Sequence, residues 1–165
     1  MGITIDLDRQ RIEDYFKTLD DIMASELRRA FKYLGEQAVI DIRDRTADQS
    51  WKDQTGNLRS STGYALYETG AKVFSSAFAN VVGQKPKPRG VSGRREGKQL
   101  VEDLVNVYPQ SFALVLMAAM RYASEVEARG RDVLKGPMDQ LKLNFETIIN
   151  KAVDKAILRI NKVKL

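Results

Sequence analysis

The stretch Trp51–Tyr67, WKDQTGNLRSSTGYALY, decides how the rest of the chain is read, because a helical pattern of apolar residues ends just before it and strand-like patterns follow. Within it, Thr55-Gly56-Asn57-Leu58 carries turn chemistry. Glycine takes positive φ without steric cost, asparagine tolerates the left-handed region, and Leu58 is the first apolar residue able to anchor a strand. Toward the N-terminus, Met23, Leu27, Ala30, Phe31, Leu34, Ala38 and Ile42 recur at steps of three and four, which predicts an amphipathic helix from about Asp20 to Arg45. Residues 9–19 form a preceding helix or a bent extension of it. Ile3, Ile5 and Leu7 alternate with polar residues, as in a short strand or a loose arm. Trp51, the only tryptophan, reads either as an anchor that tucks a polar loop onto the core or as a hot spot in a subunit contact.

Toward the C-terminus, alternation from Leu58 to Tyr67, a turn at Glu68-Thr69-Gly70 and a returning run from Lys72 to Val82 predict a β-hairpin. Gly83–Gly97 has two prolines, four glycines and no apolar period, so it is expected as a long mobile loop. Gly93–Lys98, GRREGK, does not make a phosphate loop: the glycine spacing is too short and Gln99 stands where magnesium needs Ser or Thr. Gln99–Tyr108 fits a short helix stopped by Pro109, and the unbroken apolar run Phe112–Met120 fits a central strand covered on both faces. Tyr122–Glu127 alternates like a strand. Pro137 then opens a long helix whose buried stripe is Met138, Leu141, Phe145, Ile148, Ala152, Ala156 and Ile160. The expected fold is α+β in one domain over residues 1–165: two long helices packed on a small, mainly antiparallel β-sheet, with a β-hairpin, an arm over residues 1–19 and a flexible basic insertion over residues 83–98.

Composition narrows the chemistry. With no cysteine and no histidine among 165 residues, thiolate catalysis, cysteine zinc sites and histidine bases are excluded. No apolar run approaches the roughly 20 residues of a membrane span, and the N-terminus lacks a signal-peptide pattern, so the chain reads as soluble and unexported. The net charge of +5 resides entirely between Lys85 and Lys98, where Lys85, Lys87, Arg89, Arg94, Arg95 and Lys98 face one acid, Glu96. These six side chains are the candidate contacts to a partner or to DNA. Asp41, Asp44 and Asp48 share a helical face and could hold a cation, but Arg43 and Arg45 stand between them, which favours a solvated face. Glu125 and Glu127 would share one side of a strand, where salt bridging is the first expectation and acid–base work the second.

Thr55-Gly56-Asn57-Leu58-Arg59-Ser60-Ser61 after a long helix, Tyr122-Ala123-Ser124-Glu125-Val126-Glu127-Ala128-Arg129-Gly130 after a sheet, and a long closing helix together resemble the tail-completion, or head-to-tail joining, proteins of tailed bacteriophages. That family carries Thr-Gly-x-Leu with a following serine, then Tyr-Ala-x-x-Val-Glu with a glycine soon after. The likeness covers most of residues 22–160. It departs where Trp51-Lys52-Asp53-Gln54 replaces a proline-bearing stretch and where the basic segment is longer. It implies a non-enzymatic structural protein of the virion neck, without cofactor or metal, made in the host cytoplasm. A homo-oligomeric ring, a multiple of six, would touch portal, adaptor or tail proteins and transiently the packaged DNA. It also implies that Thr55, Gly56, Leu58, Ser61, Tyr122, Ala123, Val126, Glu127 and Gly130 define the fold. From the residues alone, a sequence-independent nucleic-acid-binding module using residues 85–98 is the alternative, and a metal-dependent nuclease is a third.

Overall fold

A computed structural model describes residues 8–46 and 48–164. The expected strand over Ile3, Ile5 and Leu7 lies outside the described residues. The fold is α+β: among the described residues, five helices and one three-stranded antiparallel sheet. The chain divides into two compact units, Met1–Ala30 with Glu146–Leu165, and Phe31–Phe145. Helices α1 (Arg9–Asp44) and α5 (Lys135–Ile160) contribute to both.

In the first unit the buried apolar residues are small: Ala30, Ala152 and Ala156. Among them sits a carboxylate. Glu26, only 5 % exposed, accepts a hydrogen bond from Arg159 at 2.5 Å and one from Arg29 at 3.0 Å. Residues 9–19, expected as an arm, a separate helix or a bent extension, are the opening turns of α1.

The second unit holds the sheet, ordered β2–β1–β3, with β1 (Thr62–Glu68) between β2 (Ala71–Ser75) and β3 (Ala113–Ala118). The hairpin turn at Thr69-Gly70 is as the sequence predicts, both residues having positive φ, as a tight two-residue connection requires. Each face of β1 is covered. Tyr64 joins Ala38 and Val39 of α1, Leu116 of β3, and Met138 and Leu141 of α5 in one apolar cluster. Ala65 and Tyr67 point the other way, into a cluster with Phe78, Met117 and Val101. Val101 belongs to α3 (Gly93–Asp103), the helix expected over Gln99–Tyr108, which begins six residues earlier and ends five residues sooner.

Three expectations are corrected. The central strand is β1, not the apolar run Phe112–Met120, which is an edge. Alternation in TGYALYE hid this, because Tyr64 and Tyr67 are fully buried with their hydroxyls satisfied, donating to Glu36 Oε1 and to the Val101 carbonyl, both at 2.7 Å. Burial holds the Tyr67 phenol well above its ordinary value, at about 12, helped by Glu102 and Tyr108. Second, Lys72–Val82 is a strand only as far as Ser75, and Leu58–Ser60 belongs to α2 (Asn57–Ser60) rather than to a strand.

Third, the segment expected as a mobile basic loop ends early: Gly93–Lys98 forms the first turns of α3, capped by the Ser92 hydroxyl, which accepts from the Arg95 amide. Its glycines misled the reading because they serve packing, not flexibility. A Cβ on Gly93 would lie 1.9 Å from the Asn57 carbonyl oxygen, and one on Gly97 would lie 2.3 Å from the Phe78 ring.

Gly35 tests the same logic inside α1, where a Cβ would fall 2.4 Å from the buried Tyr64 ring. Alanine in a helix interior ordinarily gains about 1 kcal/mol over glycine. Here the sign reverses. Gly35→Ala is expected to destabilise by about 1–3 kcal/mol in urea titration, because Tyr64 cannot swing away without losing Glu36.

Candidate functional site

The residues that carry the family resemblance converge at the end of the sheet where β1 begins and β3 ends. Gly56 opens α2 with φ 75°, and a Cβ there would sit 2.2 Å from the Val81 carbonyl oxygen, so the position takes only glycine on two counts. Asp53 holds the turn: its carboxylate accepts from the amides of Gly56 at 2.9 Å and Arg59 at 2.8 Å. Leu58 is buried with Ile42, Trp51, Met120, Ala123 and Val133. Ser61 is fully buried, its hydroxyl donating to the Leu58 carbonyl at 2.8 Å.

Arg59, between these motif positions, reaches back to α1. Its guanidinium donates to the carbonyls of Arg43 at 2.6 Å and Arg45 at 2.5 Å, where the helix ends with carbonyls that lack partners of their own, and its charge suits the negative pole there. The same guanidinium lies 5.1 Å from the centre of the Trp51 ring. Trp51 is 4 % exposed and packs the loop onto the core, with an edge on the groove described below.

The second motif is helical, not extended. Tyr122–Glu127 leads into α4 (Ala123–Ala128), so Glu125 and Glu127 do not share a strand face. Glu127 instead binds backbone: its carboxylate accepts from the amides of Val133 at 2.6 Å, Leu134 at 2.8 Å and Lys135 at 3.2 Å. Asp132 takes the next amide, Gly136, at 2.6 Å, and pairs with Arg45. Together the two carboxylates satisfy the amides that open α5, and Pro137, which has none to offer, follows. Gly130 turns the chain after α4 with φ 71°. Val126 is half-buried beside the core cluster that contains Ala123. Thr55 and Tyr122 line the same groove, described below, which brings the two motifs to one place; burial, then Asp53, raises the Tyr122 phenol above its ordinary value.

Between the motifs lies a groove of ≈ 1100 Å³. Residues 51–55 form one wall with Asn57 and Leu58, residues 119–122 with Val126 another, and Pro88, Gly90, Val91 and Glu96 a third. Four cations rim it: Lys52, Arg121, Arg129 and Arg131. Sequence reading missed them because they come from three separate stretches, around Lys52, Arg121 and the Arg129–Arg131 pair, and are gathered only by the fold.

The predicted basic cluster is divided. Lys87 donates to Asn80 at 2.7 Å, Arg95 donates to the Gly90 carbonyl at 2.7 Å, and the Lys85 amide donates to the Gln54 carbonyl at 2.7 Å. Arg94, Arg95 and Lys98 line a smaller cavity of ≈ 480 Å³ with Ser75, Ser76 and Phe78. Lys85 and Arg89 are exposed and line neither cavity. Of the acidic candidates, Asp41 is 3.4 Å from Arg45, and Asp44 and Asp48 are exposed. Among the described residues no three carboxylates gather as a metal site would require, and no helix is long and apolar enough to cross a membrane.

Two predictions follow from the start of α5. Glu127→Ala is expected to cost about 1–2 kcal/mol in denaturant unfolding, the magnitude of a lost helix cap, while Glu127→Gln, which still accepts, retains most of the stability. Asp132 sets an acid limb. Burial alone would raise its carboxyl, but the Gly136 amide and Arg45 outweigh that and hold it below the ordinary value. Its contribution is therefore complete above the unfolded-state value of about 3.9 and is lost as pH falls through the lower folded value. Asp132→Asn is expected to flatten the fall in melting temperature below about pH 4.

Comparison with protein-family models, with curated proteins and with solved structures gives no match to this chain.

Proposed function

We propose that this protein is a structural component of a tailed-phage virion, one subunit of a homo-oligomeric ring, a multiple of six, that joins the filled head to the tail beside portal, adaptor or tail proteins. The observation that carries the reading is the junction of the two motifs. Stretches some 65 residues apart in sequence come together on one groove, lined by Thr55 and Tyr122, and their charged groups, Asp53, Arg59 and Glu127, are engaged with backbone. Side chains so engaged hold a frame; they are poorly placed to act as bases or nucleophiles. A ring of identical subunits needs such frames, with heterologous contacts between neighbours and no chemistry.

The basic side of α3 supports a contact with packaged DNA. Arg94, Arg95 and Lys98 are exposed on one cavity, and exposed guanidinium and ammonium groups grip phosphates without reading sequence.

The reading is tested by native mass measurement of the purified protein, alone and with candidate portal or neck neighbours, at low and moderate salt. A discrete ring, formed alone or only with a neighbour, is expected. A monomer that persists with every neighbour, yet shifts with DNA, overturns it in favour of a nucleic-acid module. Arg94→Glu with Arg95→Glu is expected to weaken DNA retention on the order of tenfold at low salt while leaving the ring intact.

A further inference from the structure

The groove between the motifs carries an excess of positive charge, four cations against two carboxylates. Of its lining carboxylates, Asp53 is occupied by two backbone amides and Glu96 lies 3.4 Å from Arg95. Its four cations, Lys52, Arg121, Arg129 and Arg131, are exposed and form no ion pair among the described residues. The lining between them includes partly exposed Val126, backed by buried Leu58 and Met120. At ≈ 1100 Å³ the space exceeds what most small ligands fill and suits several residues of a chain.

We infer that this groove is a docking site for an acidic, extended peptide segment of a neighbouring protein, with carboxylates meeting the cationic rim and apolar side chains entering between them. Charge complementarity sets the sign of the occupant, and the apolar part of the lining distinguishes a peptide from a nucleic acid. Single strands are held by successive exposed aromatic faces. Here Tyr122 is the one exposed aromatic in the lining, because Trp51 is buried and covered by the Arg59 guanidinium. The inference rests on the assembly reading for the identity of the neighbour as a neck component.

The test uses the full-length protein and an octapeptide of alternating Asp and Leu. Binding is followed by calorimetry and by fluorescence of Trp51, the sole tryptophan, which lines the groove. An alternating Lys and Leu octapeptide, oligoglutamate and an oligodeoxythymidine serve as comparisons. Saturable binding of the Asp–Leu peptide alone is expected, weakened by added salt and lowered about tenfold by Arg129→Glu with Arg131→Glu, both exposed. Arg94→Glu with Arg95→Glu, on the other cavity, should leave that affinity unchanged.

No binding of the Asp–Leu peptide overturns the inference, as does equal binding of the Lys–Leu peptide. So does an equal loss with the Arg94 and Arg95 pair, or tighter competing binding of the oligonucleotide. A ring that forms while the peptide fails to bind removes the inference and leaves the assembly reading intact. Peptide binding by a protein that never assembles does the reverse.

Discussion

The second unit depends on how the end of α1 is closed. A helix end leaves carbonyls without partners, and burying them unpaired beside a sheet would cost several hydrogen bonds. Arg59 answers this from the far side of a turn, spanning the Arg43 and Arg45 carbonyls with one planar group. The arrangement is reciprocal: Asp53 holds the Arg59 amide, Gly56 lets α2 begin against Val81, and Arg43 in turn donates to the carbonyls of Thr62 and Ala77. Helix, turn, central strand and the segment after the hairpin are thus joined at one place. Lysine, with its single ammonium, lacks the fork to bridge two carbonyls in this way.

Arg45 carries the closure one step further, to Asp132 and the start of α5. The end of α1 is thus satisfied by Arg59, from beyond the turn, and the start of α5 by Glu127 and Asp132 just before it, and of these side chains none lines the groove. The groove's shape is fixed by backbone contacts, whereas its charge comes from residues free of structural duty. Those two properties can vary independently.

The helical stripe Met23, Leu27, Ala30, Phe31, Leu34, Ala38 and Ile42 was legible because helical spacing follows directly from burial on one face; the last five are buried and the first two half-buried. The hairpin turn was legible because few residue pairs tolerate two positive φ values in succession. What misled was residue type standing for role. Glycines at 93 and 97 looked like a loop but let α3 approach Asn57 and Phe78, and tyrosines in β1 looked amphipathic but were buried with their hydroxyls bonded. The duty of Glu127 as a helix cap was not legible, because it needed the turn at Asp132 to be seen. The four groove cations carried little local signal, since they come from three separate stretches, with only Arg129 and Arg131 near each other.

The buried Glu26 in the first unit has a consequence for alignment. Helical surfaces made of alanine are shallow, and shallow surfaces slide past one another with little penalty. A buried carboxylate held by Arg159 at one setting makes every displaced setting costly, because a slipped pair would lose the hydrogen bond across the seam and leave Glu26 with Arg29 of its own helix alone. The pair acts as a key for register. An apolar replacement of both partners would make a greasier seam, and one less certain of where to stop.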